Sequence, residues 1–416
     1  MSQHMRFPLQ AAPIRILCLG MIAALAFCPR QLRAQAPPAS PATRTLTFND
    51  FGAHLLAAAT NRKGAADSNT VVSPVSAGLA LSLASFGANG STASALAKML
   101  GTSGLNRSDL EKGGSSLIAA STDRKDVQLE IANSVWTDKS MTLTKAFQAS
   151  ASAWHTRFGS LALHSPSAVT AINGWADSAT HGKIKKILTE ALPDTTLLFI
   201  ANAVYFKGKW LTPFEKSLTQ NRPFTLSSGR TIRVPSMQRT GGMRYSRDSG
   251  YQMVRLPYNG DHVVMYVILP DSGDHGNIER KFAERGWPAS LTGNANRQIH
   301  LVLPKLHIEQ ETNLLPLIAQ LGAGIAANCD HADFSRMAVD RTGRAPRQLC
   351  IGKALQKVYL DVDEQGTEAA AVTGIGMVTA TSVSRTTEFV VDRPFIILLR
   401  DETTGADLFV GSIRHP

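Results

Sequence analysis

The chain has 416 residues, of which 44% are hydrophobic, and its formal net charge is +11. The hydrophobic content is ordinary for a globular protein, and the length allows one large domain or two to three smaller ones. No stretch of the sequence is long and apolar enough to cross a bilayer, which argues against a membrane-spanning protein.

The first 36 residues predict an export signal. Arg6 and Arg15 form a basic start, residues 16–27 are apolar, and Ala34-Gln35-Ala36 fits a cleavage site. We therefore expect a secreted, periplasmic or extracellular protein, cleaved after about Ala36. Removing this segment deletes four arginines and lowers the net charge from +11 to +7. The remaining basic excess is spread along the chain, which favours a solvated surface over a nucleic-acid or polyanion site.

The cysteines leave two questions open. Cys28 follows the apolar segment and could carry a lipid, but Phe27 is bulky where a lipidation signal has a small residue, so we favour simple cleavage. Cys329 and Cys350 remain after cleavage, and their spacing matches no metal motif. In an oxidising compartment they either form a disulfide, which would add roughly 3 kcal/mol, or stay as buried thiols.

The helices are predicted from apolar spacing. Residues 37–45 are rich in Pro, Ala, Ser and Thr and predict a flexible linker, so a single folded domain is expected over 46–416. A first helix is predicted from Phe51, and Ser73, which precedes a proline, is the expected N-cap of a second. Further helices are predicted over 147–158 and 314–321.

The strands have equally clear patterns. Residues 196–210 form a nearly continuous apolar run, typical of a strand buried on both faces, and Asn202 within it needs hydrogen-bond partners. Asn259-Gly260-Asp261 joins two apolar runs as a hairpin turn. Other strands are predicted over 129–136, 299–308 and 353–364.

Residues 365–387 form the most unusual stretch of the sequence. Residues 367–384 contain one charge, Glu368, and no aromatic side chain. The run is too apolar for a solvated loop and too small for a core strand, so it predicts a loop able to become a strand. The alternative is an ordinary flexible connector. If this run were a strand, its alternation would place six residues on one face: Thr367, Ala369, Ala371, Thr373, Ile375 and Met377.

Three segments carry a resemblance to a known family. Glu364-Gln365-Gly366-Thr367-Glu368-Ala369-Ala370-Ala371 resembles the hinge of the reactive-centre loop of serpins, a family of serine-protease inhibitors. Residues 391–395 and 405–411 resemble the C-terminal strands of the family. Further matches run from about Leu46 to Pro416, and among them residues 172–184 resemble the family's helix that lies across the main sheet. The resemblance implies an α+β serpin fold with three β-sheets, eight or nine helices and an exposed reactive-centre loop at about 365–387, in a bacterial-type secreted member.

The resemblance also implies roles for residues in the main sheet. At the top of the sheet, Trp210 ends a strand and Lys305 is the expected ion-pair partner of Glu364. Lower down, in the region that the family calls the shutter, a histidine eight residues before Glu364 bonds to the asparagine that matches Asn202. This chain has Gln356 there, and we expect it to form the same bond. The shutter also includes Ser73 and Ser76.

The function implied by the resemblance is suicide-substrate inhibition of serine proteases. A protease cleaves the loop and is held as a covalent acyl-enzyme while the loop inserts into the main sheet, a well-known example of strand addition. Thr367 is uncharged and residues 369–372 contain no proline or charge, which favours an inhibitory member. The alternative is a non-inhibitory serpin that binds or chaperones, with a loop that is merely cleavable.

The position of the scissile bond follows from counting along the loop. Counting from Glu364 places the bond between Ala380 and Thr381, and an alanine fits the small S1 pocket of elastase-like or subtilisin-like proteases. Counting back from the C-terminal strands gives Val383 instead. Arg385 is the one basic alternative, and it lies further down the loop.

An enzyme is the weaker class of function for this sequence. It contains no Gly-x-Ser-x-Gly, no His-Glu-x-x-His and no phosphate-binding Gly-Lys-Ser/Thr motif, and its histidines are scattered. We therefore expect no catalytic activity, no cofactor and no metal. The expected partner of this monomer is a serine protease, not a nucleic acid.

Overall fold

The computed structural model describes residues 46–61, 68–122, 124–291, 295–346, 348–367 and 386–416. Within these ranges the chain forms eight α-helices and three β-sheets, so the predicted α+β class is confirmed. None of the helices in these ranges is both long and apolar enough to pass through a lipid bilayer. The helices are α1 (Asn49–Thr60), α2 (Pro74–Gly87), α3 (Gly90–Met99), α4 (Arg107–Thr122), α5 (Lys145–Ala153), α6 (Pro166–Ala179), α7 (His275–Arg285) and α8 (Leu315–Ile318).

The largest sheet has nine strands in the described part of the chain. In spatial order they are β1 (Thr70–Val72), β17 (Ala406–Ile413), β16 (Phe395–Asp401), β9 (Val263–Pro270), β8 (Tyr251–Pro257), β7 (Thr231–Asp248), β10 (Ala295–Pro304) and β15 (Thr387–Val390), with β6 (Gln220–Thr225) paired to β7. The predicted hairpin at residues 259–261 joins β8 to β9. A separate two-stranded sheet pairs β3 (Met141–Leu143) with β12 (Ala338–Asp340).

The six-stranded sheet, called the main sheet below, contains the predicted strands 129–136, 196–210 and 353–364. Its central pair, β5 and β13, runs parallel, whereas β13 pairs with β11 and β5 with β2 in antiparallel fashion. In spatial order its strands are β11 (Leu306–Asn313), β13 (Lys353–Val362), β5 (Leu198–Lys209), β2 (Val127–Asp138) and β4 (Arg157–Leu161), with β14 (Gly366–Thr367) paired to the end of β5.

β5 has a buried side chain at every position from 198 to 206, which confirms the prediction of a strand covered on both faces. Alternate residues, including Leu198 and Ile200, pack into the core that contains α1 and α2. The residues between them, including Phe199 and Ala201, pack against the buried residues of α6. Burying each large side chain contributes about 1.5–3 kcal/mol, so this strand holds the two layers of helices together.

Two predicted helices end five residues earlier than the sequence pattern indicates. The helix predicted over 147–158 is α5, which ends where His155 takes a left-handed backbone conformation with φ of 51°. The helix that the resemblance implied over 172–184 belongs to α6, which ends at Ala179 and is followed by His181 and Gly182 with φ of 52° and 81°. Apolar residues continue past both helix ends because the segments that follow are also packed on the protein, so neither prediction located the end of its helix.

The single strand predicted over 299–308 is wrong. β10 ends at Pro304, β11 begins at Leu306, and the two strands belong to different sheets. Proline has no backbone N–H to extend the ladder, and the N–H of Lys305 instead donates to the carbonyl oxygen of Pro235 at 2.9 Å. The break places Lys305 between the two sheets, beside the end of β13.

Cys329 and Cys350 form a disulfide, with their Cα atoms 4.7 Å apart. Of the two possibilities that the sequence left open, pairing is therefore the one that the structure contains. Cys350 is buried just before β13, whereas Cys329 is exposed. The disulfide thus links the N-terminal end of β13 to the helical segment that precedes Cys329.

Candidate functional site

The boundary between β5 and β13 divides the main sheet into two halves. We call it the seam: residues 199–205 of β5 face residues 353–359 of β13 in parallel register. Parallel pairing is slightly less stable per residue than antiparallel pairing. Replacing this parallel ladder with two antiparallel ladders would therefore cost little stability and would add hydrogen bonds. For this reason the seam is the position in the main sheet where another strand could be added most easily.

We call the end of the seam at the C-termini of β5 and β13 its upper end, and the opposite end its lower end. The chain returns to the upper end directly after β13. A tight turn joins Asp363 to Gly366, with the N–H of Asp363 donating to the carbonyl oxygen of Gly366 at 2.7 Å. Gly366 and Thr367 then pair antiparallel with Lys209 and Gly208 at the end of β5. The first residues of the predicted loop are therefore already a short strand, β14, in the main sheet.

Only glycine fits at position 366. Its φ is 139°, outside the range that other residues readily adopt. A Cβ atom there would lie 2.1 Å from the carbonyl oxygen of Gly208 and 2.7 Å from the Cα atom of Lys209. Because these contacts are with backbone, no neighbouring side chain can rotate away to make room. The glycine of the hinge motif is thus a requirement for pairing β14 with β5.

The side chain of Thr367 is fully buried against an aromatic pair. Its hydroxyl lies 2.9 Å from the hydroxyl of Tyr258, which is also buried. Burial raises the pKa of Tyr258 well above its ordinary value, so the phenol stays neutral and able to donate. The Tyr258 ring stacks on Trp210 with ring centroids 4.3 Å apart, and the Trp210 indole N–H donates to the carbonyl oxygen of Asp363 at 3.0 Å.

The prediction that the loop is exposed throughout 365–387 is therefore wrong at its start, where Gly366 and Thr367 are buried. The reason is that a small β-branched hydroxyl residue fits a slot lined by Tyr258 and satisfies its one polar group there. The other predicted loop residues lie outside the described residues, so their roles stay predictions; they are Glu368, Ala369, Ala370, Ala371, Ala380 and Thr381.

Glu364 forms the expected contact with Lys305 in the turn before β14. The Lys305 Nζ atom donates to Glu364 Oε2 at 2.9 Å, and the Thr219 hydroxyl donates to Oε1 at 2.7 Å. The Glu364 side chain is only 5% exposed, against 36% for Lys305. Burial alone would raise the pKa of Glu364, but the hydrogen bonds from Thr219 and Lys305 outweigh it and lower the pKa below the ordinary value.

A buried polar cluster lies across the seam, below β14. The amide nitrogen of Asn202 donates to Ser76 Oγ at 2.5 Å and to Asn133 Oδ1 at 2.7 Å. Gln356 Nε2 donates to Asn202 Oδ1 at 2.9 Å and to the Ser73 carbonyl oxygen at 3.1 Å. Gln356 Oε1 accepts from the Ser73 N–H at 3.0 Å, and Ser73 also caps α2. Gln356 thus joins β13 to β5, as expected, and it also fastens both strands to α2.

Three site residues were missed by the sequence analysis. Tyr258 lies at the end of β8, far from the hinge in sequence, and nothing in its local pattern points to Thr367. Thr219 is one of many surface-type threonines. Asn133 had a usable signal, because it is a polar residue inside an apolar strand that must find a partner when buried.

The described residues contain no group of three or more His, Cys, Asp or Glu side chains that could hold a metal ion. The polar side chains gathered around the seam bind one another and the backbone. These bonds hold the two halves of the main sheet together across the seam.

A family model described as "Serpin (serine protease inhibitor)" matches residues 47–416. The chain belongs to the serpin family. The fold implied by the sequence resemblance is thereby confirmed, with three sheets and eight α-helices in the described ranges.

Individual relatives agree with this assignment. This serpin is 32% identical over 384 residues to Serpin-Z1C of Triticum aestivum, covering 88% of this chain and 94% of the relative. It is 30% identical over 358 residues to an uncharacterized serpin-like protein of Methanosarcina acetivorans, covering 84% and 82%. These two relatives are from a plant and an archaeon, so the bacterial origin of this chain stays a prediction.

Solved structures show the same similarity. The native state of the thermophilic serpin tengpin matches with a TM-score of 0.81 and 26% identity, covering 89% of this chain and 94% of that one. Thyroxine-binding globulin in complex with thyroxine matches with a TM-score of 0.75 and 25% identity, covering 89% and 98%.

Replacing Gly366 with alanine should expel β14 from the main sheet, because the new methyl group would overlap the backbone of β5. Amide hydrogen exchange of Trp210, whose N–H donates to the carbonyl oxygen of Gln365 at 2.9 Å, should accelerate by at least about tenfold, since this amide loses its partner. Gly405→Ala is the matched control: Gly405 also has a positive φ, 73°, but no atom lies within 4 Å of its added Cβ. Unchanged exchange in Gly366→Ala would contradict the pairing of β14.

Glu364 should make a pH-dependent contribution to stability. Because its folded pKa lies below the ordinary value of 4.5, this contribution is present above that pH and is lost as the pH falls through the lower folded value. The unfolding free energy of Glu364→Gln should be lower than that of the wild type by about 1 kcal/mol at neutral pH, and the difference should shrink and vanish as the pH falls through the folded pKa of Glu364.

Urea unfolding of the uncleaved protein across this pH range measures the difference. Glu215→Gln, at an exposed position in the neighbouring segment, should follow the wild-type pH profile. A difference between Glu364→Gln and wild type that is the same at every pH would rule out an ionised Glu364 as its source.

Proposed function

We propose that this serpin inhibits serine proteases by acting as a suicide substrate. The observation that carries the proposal is β14, because the start of the loop is already paired with β5 at the upper end of the seam. A strand that grows from β14 toward the lower end of the seam would lie antiparallel to both β5 and β13. Family membership supports the same function, since the matching family model is described as a serine protease inhibitor.

The proposed reaction uses the chemistry of the protease. The catalytic serine hydroxyl attacks the carbonyl carbon of Ala380, the nitrogen of Thr381 leaves with a proton, and Ala380 remains as an ester on the protease. The segment before Ala380 is then free at its cut end and anchored at Thr367. Insertion of this segment into the seam must be faster than hydrolysis of the ester by water.

The energy for trapping the protease comes from strand exchange. Insertion breaks the parallel ladder of the seam and forms two antiparallel ladders. About a dozen new residue pairs at roughly 0.5–1 kcal/mol each give on the order of 10 kcal/mol, enough to distort a protease attached to the moving end. The inward side chains must be small or uncharged, as Thr367, Ala369 and Ala371 are, because a buried unpaired charge would oppose entry.

Specificity is proposed to follow from Ala380. A methyl side chain suits a small, apolar S1 pocket, so elastase-like or subtilisin-like proteases are the proposed targets. The inhibitor is proposed to act as an exported monomer of bacterial type, cleaved after about Ala36. The Cys329–Cys350 disulfide supports export, because structural disulfides persist mainly in oxidising compartments.

The second candidate function is a non-inhibitory serpin that binds or carries another molecule. The similarity to thyroxine-binding globulin favours it, because that structure is a complex with a small ligand. In this case a protease would cut the loop and be released without forming a stable complex.

Ala371→Arg tests the insertion mechanism. Alternation places residue 371 on the inward face with Thr367, so the variant should slow insertion and turn the inhibitor into a substrate, raising the number of inhibitor molecules consumed per protease by at least about tenfold. Ala370→Arg, on the outward face, is the matched control and should inhibit like the wild type. Thr367→Arg is less suitable, because Thr367 is already buried in the uncleaved protein. Inhibition by Ala371→Arg as efficient as that by Ala370→Arg and the wild type would refute insertion.

The cut site provides a second, independent test. With an elastase-like or subtilisin-like protease we expect an SDS-stable complex and a released C-terminal fragment that begins at Thr381, identified by mass spectrometry. Ala380→Arg should redirect inhibition toward trypsin-like proteases, whose S1 pocket contains a buried acid. A fragment that begins at Thr386, or a trypsin-like enzyme trapped at Arg385 in the wild type, would disprove the assignment.

A further inference from the structure

A cleft lies between α6 and the edge of the main sheet, two strands away from the seam. Its volume is about 360 Å³, within the range of sites that hold small organic molecules. The floor comes from β2 and β4, and the wall from one face of α6. Its lining includes Trp136, Arg157, Leu161, Ala171, Trp175 and Ser178.

The local sequence explains why this cleft is open. Ala171, Trp175 and Ser178 are four and three residues apart, so they share one face of α6. The small side chains of Ala171 and Ser178 on either side of Trp175 leave space between the helix and the sheet. On β4, Gly159 lies against the Trp136 ring, where a Cβ atom would come 3.0 Å from it.

Two indole rings form the aromatic part of the cleft. Trp136 and Trp175 are 6.4 Å apart between ring centroids and nearly perpendicular. The Trp136 indole N–H already donates to Ser134 Oγ at 2.8 Å. Within the described part of the chain, no residue accepts a hydrogen bond from the indole N–H of Trp175, which is half-buried. The cleft therefore offers aromatic surface, chiefly that of Trp175.

Arg157 supplies a positive charge at the same place. No carboxylate among the described residues forms an ion pair with it, and no acid lines the cleft. Arg124, which precedes β2, by contrast is paired with both Asp126 and Asp401. A guanidinium group binds a carboxylate through two parallel N–H bonds, which suits a planar anion better than a round one.

We propose that this cleft is a binding site for a small aromatic carboxylate. The ring of the ligand packs mainly against Trp175, because Trp136 is only 4% exposed, and its carboxylate binds Arg157, with the Ser178 hydroxyl as a further donor within the lining. The ligand class follows from the combination of the Trp175 ring, a cation without an ion-pair partner among the described residues and a volume suited to one or two fused rings. The site is separate from the loop, so the proposal does not depend on protease inhibition.

Three probes of the same shape and different charge test the proposal: 2-naphthoate, 2-naphthamide and 2-naphthylmethylammonium. Calorimetric titration of the uncleaved full chain should give the tightest binding for 2-naphthoate, at least about five-fold tighter than for the neutral amide, with the ammonium weakest. In Arg157→Gln the advantage of the anion over the amide should disappear. Arg341→Gln, at another exposed arginine, should keep the wild-type order of affinities.

A second variant tests the location. Ala171→Trp, at an exposed position on α6, should fill the cleft and abolish binding of all three probes while leaving the unfolding midpoint unchanged. Equal affinity of wild type for the three probes, or retained preference for the anion in Arg157→Gln, would overturn the role of Arg157. Failure of every probe to bind at millimolar concentration, or full binding by Ala171→Trp, would overturn the site itself.

Discussion

The parallel ladder between β5 and β13 is the interaction on which the behaviour of the main sheet depends. It is covered on both sides: Phe199, Ala201 and Leu355 pack together beneath α6, and Asn202 and Gln356 bond to each other on the opposite face. Opening the seam must separate both sets of contacts. A buried polar group that loses its partner costs about 1–3 kcal/mol. The Asn202–Gln356 bond therefore opposes separation of the two strands. Unlike apolar packing, this bond can form only when the strands are in the correct register.

The upper end of the seam is controlled by a different kind of contact. Gly366 and Thr367 occupy the sheet because one has no side chain and the other has a single hydroxyl that Tyr258 satisfies. Glu364, held by Lys305 and Thr219, fixes the turn that leads into them. The hinge therefore begins within the sheet. A strand that extends β14 needs no new nucleus, because its first pair with β5 is formed, and the costly first step of closing the loop has been taken.

Patterns within single segments predicted most of this arrangement. The apolar run of β5 predicted burial on both faces, and Asn202 inside it predicted a polar partner, which is Gln356. The predicted ends of α5 and α6 were wrong, because a residue with left-handed backbone conformation ends a helix whereas apolar residues continue beyond it. The predicted exposure of Thr367 was wrong for another reason. A run of small residues has the same sequence pattern whether it lies outside the sheet or within it. The residue that accounts for the burial of Thr367 is Tyr258, which lies 109 residues away in the chain.

Helix α6 connects the seam to the aromatic cleft. One of its faces, with Ile172 and Ala176, covers the residues that flank the seam, while Ala171 and Trp175 line the cleft. In the proposed insertion, a strand that enters the seam would separate Phe199 from Leu355 beneath this helix, and a shift of α6 in response would change the shape of the cleft. By linkage, a molecule that binds one shape of the cleft more tightly must alter the insertion equilibrium by the same factor. We therefore expect the two proposed sites to be coupled through α6, so that a ligand that prefers the cleft of the uncleaved protein should oppose insertion.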